Sequence, residues 1–119
     1  MNKLPRSLFY LCLSWLSACT GAVELPEEVE VAMVSVPEKV DYIRDVKPIL
    51  SDRCFACHGP DKNKIQAGLR LDIEAQALAK NAESGLRAIV PGKPHKSELV
   101  RRILSEDPEI RMPTPESHL

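Results

Sequence analysis

The spacing of apolar positions changes along the chain, and each change marks a different kind of segment. Residues 8–16 form an almost unbroken apolar run, LFYLCLSWL. Residues 20–40 mix valines with glutamates and prolines. From residue 41 onward, apolar side chains recur at three- and four-residue spacings, which is typical of amphipathic helices. The pattern therefore predicts an apolar leader, a polar connector and an all-α domain.

The apolar run has the features of a signal peptide. A membrane-spanning helix needs about 20 apolar residues, whereas this run has nine and follows the basic residues Lys3 and Arg6. The stretch Leu16-Ser17-Ala18-Cys19 resembles the lipobox of bacterial lipoproteins, in which the cysteine is lipidated and becomes the first residue. We predict a lipoprotein-type signal peptide over residues 1–18 and lipidation of Cys19. Cleavage after Ala22 is the competing prediction.

The connector is expected to be an extended acidic tether over residues 19–40. It contains five glutamates, interrupted by Pro26 and Pro37, a composition that favours an extended linker. Lipid chains on Cys19 would hold the protein firmly at a membrane surface. We therefore predict an extracytoplasmic protein on the periplasmic side, anchored to a bacterial membrane.

Residues 41–119 read as one helical domain. A first helix is expected from about Asp45 into the motif CFACH at 54–58, ending at Gly59-Pro60. A second is expected over residues 73–81, with Asp72 as its N-cap. A third begins near Pro94 and carries an apolar stripe formed by Leu99, Val100, Ile103 and Leu104. Glu98, Arg101 and Arg102 are expected to face water.

Composition restricts the partners and indicates that the domain lacks core residues. The 16 basic and 17 acidic residues nearly balance and form no long basic run, so no nucleic-acid surface is predicted. Behind the leader, Tyr42 and Phe55 are the only aromatic residues. A domain of fewer than about 100 residues is marginal on burial alone, so a large apolar group is expected to complete its interior.

The CxxCH motif at Cys54, Cys57 and His58 allows four chemistries. Structural zinc requires four ligands, usually two cysteine pairs or a pair with spaced histidines. A thioredoxin-like dithiol follows a strand, which the pattern before Cys54 does not predict. A disulfide across two residues closes too small a loop to add much stability. Covalent haem explains both thiols and the adjacent histidine together.

We therefore predict a covalently attached haem c with iron as its metal. Cys54 and Cys57 lie one helical turn apart and can each form a thioether with one vinyl group, while His58 shares the face of Cys54 and can bind the iron. Met112, followed by Pro113 in a stiff loop, is the expected second axial ligand. His95, expected to be exposed beside two lysines, and His118, close to the chain end, are its rivals.

Four blocks in order resemble the planctomycete-type cytochrome c domain: DVKPILSDRCFACHGPD, AGLRLD, AIVPGKPHKSELVRRI and RMPTPES. The resemblance covers about residues 41–119 and implies a class I-like all-α fold, with Cys54 and Cys57 as attachment sites and His58 and Met112 as ligands. Thr114 stands where the family usually has a second proline. The family also continues into a final C-terminal helix after the position of Leu119, so we expect this chain to be a fragment.

The leading functional prediction is an electron-transfer module rather than an enzyme, because two filled axial positions leave no site for a substrate. The alternative is a haem-containing enzyme or sensor module with a displaceable sixth ligand, attached to a larger extracytoplasmic enzyme. A purely structural haem module is a third hypothesis. The sequence does not identify the redox donor or acceptor.

Overall fold

The computed structural model describes residues 22–117, and the predicted signal peptide, Cys19 and His118 lie outside them. The described part is helical, without strands beyond an isolated bridge between Lys80 and Arg87, which agrees with the all-α prediction. Its α-helices are α1 (Glu27–Val34), α2 (Lys47–Arg53), α3 (Phe55–His58), α4 (Glu74–Leu78) and α5 (Glu98–Ile103). A π-helical turn covers Tyr42–Val46, and 3₁₀ turns cover Pro94–Lys96 and Pro115–Ser117.

The prediction of an extended tether is wrong for part of the connector. Glu27–Val34 form α1, whose first turn contains the acidic residues Glu27, Glu28 and Glu30. Acidic side chains near a helix N-terminus interact favourably with the helix dipole, and no residue of α1 is buried. Ahead of α1, the backbone N–H of Val23 donates to the carbonyl of His95 at 2.8 Å. The start of the connector therefore lies against the domain.

The first predicted helix is present as two helical segments that meet at Cys54. Asp41 caps the π-helical turn that precedes α2, because its carboxylate accepts a hydrogen bond from the N–H of Arg44 at 2.9 Å. Pro48 lies in the first turn of α2, where its missing N–H has no intrahelical role. Cys54 has φ −128° and ψ −34°, so the α-helix is interrupted there and resumes as α3. No helix in the described residues combines the length and apolarity needed to cross a membrane.

Two predicted roles of charged residues are corrected by the structure. Asp72 is not an N-cap: α4 follows Ile73 without a side-chain cap, and the Asp72 carboxylate accepts from Arg70 Nε at 2.9 Å instead. Glu98 does not face water, because its side chain is only 15% exposed and pairs with both Arg101 and Arg102. Each carboxylate therefore forms an ion pair with an arginine nearby in the sequence.

The core is small. Among the described residues, the buried hydrophobic ones are Leu71, Ala77 and Ala88. Around them pack half-buried side chains: Leu50, Cys54, Phe55, Leu69, Ile89 and Leu99. In the first helical region, Leu50 packs against the core whereas Ile43 and Ile49 are exposed. A core with so few large side chains agrees with the expectation that a large apolar group contributes to the interior.

Candidate haem-binding site

The CxxCH motif is folded as one turn that brings the three predicted haem-binding residues together. The N–H of His58 donates to the carbonyl of Cys54 at 2.8 Å, and the N–H of Cys57 donates to the same carbonyl at 3.2 Å. Both thiols are free and half-buried. The predicted juxtaposition of Cys54, Cys57 and His58 is therefore present in the backbone.

The environment of the Cys54 thiol differs from that of a reactive cysteine in a redox dithiol. Burial raises the pKa of the Cys54 thiol, whereas reactive cysteines have a lowered pKa and positively charged surroundings. Cys54 also packs against the core cluster with Phe55 and Leu69. A protonated thiol in apolar surroundings suits covalent attachment of an apolar group better than rapid thiol–disulfide exchange.

His58 is oriented by a hydrogen bond from its ring. Its Nδ1 lies 3.3 Å from the carbonyl oxygen of Leu69, and a carbonyl can only accept, so Nδ1–H is the donor. This tautomer leaves the lone pair on Nε2. Metal-ligating histidines commonly donate their other ring N–H to a backbone carbonyl. Burial lowers the pKa of His58, which favours the neutral imidazole that binds metal ions.

The segment 66–71 returns across the motif and fixes it from the other side. The N–H of Gln66 donates to the carbonyl of Cys57 at 2.9 Å, and the N–H of Leu71 donates to the carbonyl of His58 at 2.8 Å. Together with the ring bond to Leu69, these contacts form what we call the His58 clamp. Its acceptor, Leu69, was missed by the sequence analysis, which noticed this stretch only as part of a family block.

Two residues before Leu69 shape the turn that brings the segment back. Ala67 and Gly68 have φ of 50° and 58°, the left-handed region that favours glycine. The side-chain amide of Asn81 donates to the carbonyl of Ala67 at 2.7 Å. The turn is therefore held by a hydrogen bond from the loop after α4.

Gly59 ends the motif for a steric reason. Its φ of −118° is accessible to any residue, but an added Cβ would lie 2.5 Å from Phe55 Cβ and 2.8 Å from Phe55 Cα, in contact also with the Phe55 carbonyl oxygen. These are mostly backbone atoms, which cannot turn away as a flexible side chain could. Only glycine allows the chain to leave α3 so close to Phe55.

Met112 lies in a different part of the chain and is attached to α5. Its N–H donates to the carbonyl of Arg102 at 3.1 Å, and Arg102 Nη1 lies 3.4 Å from the carbonyl oxygen of Ile110. Met112 is half-buried and lines an open cavity of about 280 Å³ with Ile103, Arg111, Pro113, Thr114 and Pro115. We call residues 110–115 the Met112 loop.

Arg102 influences both predicted axial ligands. Burial is the main cause of the lowered pKa of His58, and the positive charge of Arg102 lowers this pKa further. Its backbone carbonyl accepts from Met112, and its guanidinium donates to Glu98 at 2.9 Å. The Met112 loop is thus hydrogen-bonded to the last turn of α5, and the charge of Arg102 in that turn also lowers the pKa of His58.

The rival ligand His95 has different surroundings from Met112. His95 is half-buried, so the expectation of an exposed side chain is wrong. It lines a small cavity with Val23, Leu86 and charged residues. Within residues 22–117, no group of three or more histidine, cysteine or carboxylate side chains is arranged to hold a metal ion. The described residues thus offer no further ligands for a structural zinc site at the motif.

The donor set fits a c-type haem. Two free thiols and an imidazole with a free Nε2 lie on one helical turn, bordered by half-buried Phe55 and Leu69. Soft thioether and imidazole donors suit haem iron. Cys54 and Cys57 would hold the macrocycle, and His58 and Met112 would provide the iron ligands.

Comparison with known proteins agrees with this interpretation. The model of the family described as planctomycete cytochrome C matches residues 54–116, a stretch that runs from the first motif cysteine past Met112 and covers more than half of the chain. No curated protein and no solved structure matches the chain. The match confirms the resemblance seen in the four sequence blocks, and the family implies a covalent haem c. The chain belongs to the planctomycete cytochrome c family, whose domain is typical of haem-based electron carriers.

Proposed function

We propose that this chain is an electron-transfer module of an exported, membrane-anchored protein, with a haem attached to Cys54 and Cys57 and bound axially by His58 and Met112. The proposal extends to lipidation of Cys19 and a position on the periplasmic side. A c-type haem supplies a one-electron couple, and a His/Met ligand pair favours a higher potential than a pair of histidines. The chain would therefore act as a carrier rather than as an enzyme.

The observation that carries the proposal is the orientation of His58 next to two free thiols. The Leu69 carbonyl, 3.3 Å from Nδ1, fixes the ring with Nε2 available. The backbone bonds of Gln66 and Leu71 hold the same turn. A disulfide would not require an oriented neutral imidazole at this position, whereas a metal ligand does; within residues 22–117 no group of three or more histidine, cysteine or carboxylate side chains favours zinc as that metal.

Attachment is tested by extraction of the cofactor. The protein, produced with a cytochrome c maturation system, should keep its haem through acid–acetone extraction, because thioether bonds survive acid. Cys54→Ala combined with Cys57→Ala should release all of it, and either single variant should retain haem through the remaining thioether. Release of haem from the wild-type protein would contradict covalent attachment.

The proposed role of Met112 as the sixth ligand is supported by its backbone hydrogen bond to α5 and by its half-buried position. The competing function, a haem enzyme or sensor, requires a sixth position that external ligands reach easily. The open cavity beside Met112 is the feature that favours this competitor. Ligand-binding rates separate the two functions, because a bound thioether must dissociate before another ligand enters.

A further inference from the structure

Positive charge is concentrated in one stretch of the chain. Residues 80–102 contain six basic and two acidic residues, although the whole chain is nearly neutral. One of the acidic residues, Glu98, is already engaged by Arg101 and Arg102. Arg87, Lys93 and Lys96 are exposed, and within residues 22–117 neither of these lysines forms an ion pair. We call Arg87, Lys93, His95 and Lys96 the basic face.

The start of the connector lies against this face. Val23 donates its N–H to the carbonyl of His95 at 2.8 Å. Val23 also lines a cavity of about 60 Å³ with Arg87, His95 and Lys96. Both Val23 and Leu25 are half-buried rather than exposed as in a free tether. The connector therefore contacts the basic face at Val23.

The short distance along the chain from Cys19 to Val23 limits how far the basic face can be from a lipid anchor. An extended chain advances at most about 3.6 Å per residue, so the four steps from Cys19 to Val23 span no more than about 14 Å. If Cys19 carries the lipid, a flexible tether of 20 residues does not separate the basic face from the membrane. The face is held within roughly two Debye lengths of the headgroups at physiological salt.

We propose that the basic face lies directly against anionic lipid headgroups of the membrane that holds the Cys19 anchor. The proposal rests on the lipidation of Cys19 in the proposed function. Lysine and arginine side chains near an anionic leaflet are attracted to it over about a Debye length. The lysines of the face are exposed and form no ion pair among the described residues. The contact of Val23 with the face, four residues after Cys19, would bring these lysines near such a surface.

Docking in this way would also orient the Met112 loop. Glu98 and Arg101, in α5, line the cavity beside Val23. The backbone carbonyl of Arg102, the next residue of α5, accepts a hydrogen bond from the N–H of Met112. A six-residue α-helix is about 9 Å long. The basic face and the Met112 loop are therefore joined by one short rigid element, and fixing the face fixes the loop relative to the membrane plane.

The experiment compares lysine labelling in the mature lipid-anchored holoprotein. The protein is placed in vesicles containing phosphatidylglycerol, in purely zwitterionic phosphatidylcholine vesicles and in detergent micelles, and acylation by a water-soluble ester is followed by mass spectrometry. Lys93 and Lys96 report on the face; Lys62 and Lys64, exposed in the loop after the CxxCH motif, are the internal control. Mass spectrometry of the N-terminal peptide reports lipidation separately.

Two lysines at an anionic surface correspond to a roughly thirtyfold preference for the docked orientation. We expect acylation of Lys93 and Lys96 to slow by about tenfold or more in anionic vesicles relative to micelles, with Lys62 and Lys64 unchanged. The protection should disappear in zwitterionic vesicles and in high salt.

Each other outcome overturns a defined part of the proposal. Equal labelling of both lysine pairs in anionic vesicles would reject docking and leave the face available to an acidic protein partner. Equal protection in zwitterionic and anionic vesicles would reject headgroup attraction. A mature N-terminus at Val23, with no protein in the vesicle fraction, would instead reject lipidation, which the proposal requires.

Discussion

The two predicted axial ligands are held in different ways. His58 is fixed through its ring, its own backbone and its neighbour Cys57 by the His58 clamp, next to the small core. Met112 is held through a single backbone bond to Arg102, and its loop borders an open cavity. The difference indicates that the CxxCH side of the predicted site is held by more contacts, whereas the predicted sixth position depends on the contacts of α5. The choice between the proposed carrier and a haem enzyme or sensor is therefore expected to depend on the Met112 loop.

The largest effect is expected from a change that breaks the rigid side. Gly59→Ala would place Cβ 2.5 Å from Phe55 Cβ and against the Phe55 backbone. Overpacking of this kind costs about 1–3 kcal/mol and occasionally more, and here it distorts the CxxCH turn as well. We expect a loss of about 3 kcal/mol, together with a lower yield of haem-loaded protein.

Gly92→Ala is the matched control for Gly59→Ala. Gly92 has φ of 69° with open space around its Cβ position. Its replacement should cost only the left-handed penalty of about 1–2 kcal/mol and leave haem loading unchanged. Melting temperature and haem content of both variants provide the measurement. An equal loss in the two variants would show that the close contact with Phe55 is unimportant.

A smaller effect is expected on the weakly held side. Glu98→Gln removes the charge that pairs with Arg101 and Arg102, and Arg102 in turn bonds Ile110 and Met112. Hydrogen bonds to charged groups contribute about 1.5–3 kcal/mol, so we expect a loss near 1.5 kcal/mol and faster cyanide binding to the ferric protein. Glu106→Gln, an exposed position in the same region, should change neither. Unchanged cyanide binding in Glu98→Gln would disconnect this ion pair from the Met112 loop.

The Glu98 carboxylate is also expected to make the stability of the folded protein depend on pH. The hydrogen bond from Arg101, with Arg102 also contributing, lowers the pKa of Glu98 below its ordinary value. Because the folded pKa lies below the unfolded one, the stabilisation is fully present above about pH 4.3, the ordinary glutamate pKa. It is lost as the pH falls through the folded pKa. Melting temperatures of the wild type and Glu98→Gln should therefore differ at pH 7 and converge toward pH 3, and a constant difference would contradict this assignment.

The smallest effect is expected at the turn that carries the Leu69 acceptor. Ala67 has φ of 50°, a conformation that costs an L-residue about 1–2 kcal/mol, while glycine loses about 0.5–1 kcal/mol of chain entropy. Ala67→Gly should therefore stabilise the protein by about 0–1.5 kcal/mol. Ala75→Gly within α4 should destabilise it by a similar amount. Chemical denaturation measures both, and a destabilised Ala67→Gly variant would contradict the strain argument.

The local features of the site could be predicted from sequence. The CxxCH turn depends on positions three and four residues apart, so spacing alone predicted that Cys54, Cys57 and His58 share a turn, as their backbone bonds show. The third helix was predicted to begin at Pro94. The structure has a 3₁₀ turn there, followed by α5 from Glu98.

Features that depend on distant parts of the chain could not be predicted. The Leu69 acceptor reaches His58 only because a left-handed turn at Ala67 and Gly68 returns the chain. The burial of Glu98 was missed for a different reason: its partners Arg101 and Arg102 lie three and four residues away, a spacing that indicates ion pairs within a helix. The connector was read as extended from its prolines and glutamates, although glutamate, alanine and methionine also favour a helix.

The central claim, a carrier with Met112 as its sixth ligand, is tested most directly by the rate at which cyanide binds to the oxidised holoprotein. Three proteins are compared: the wild type, Met112→Ala, and Met33→Ala, which changes an exposed methionine in α1. The account predicts slow binding in the wild type and Met33→Ala, limited by dissociation of the thioether, and binding at least tenfold faster in Met112→Ala. Fast binding in the wild type, or equal rates in all three proteins, would contradict ligation by Met112 and favour a haem enzyme or sensor.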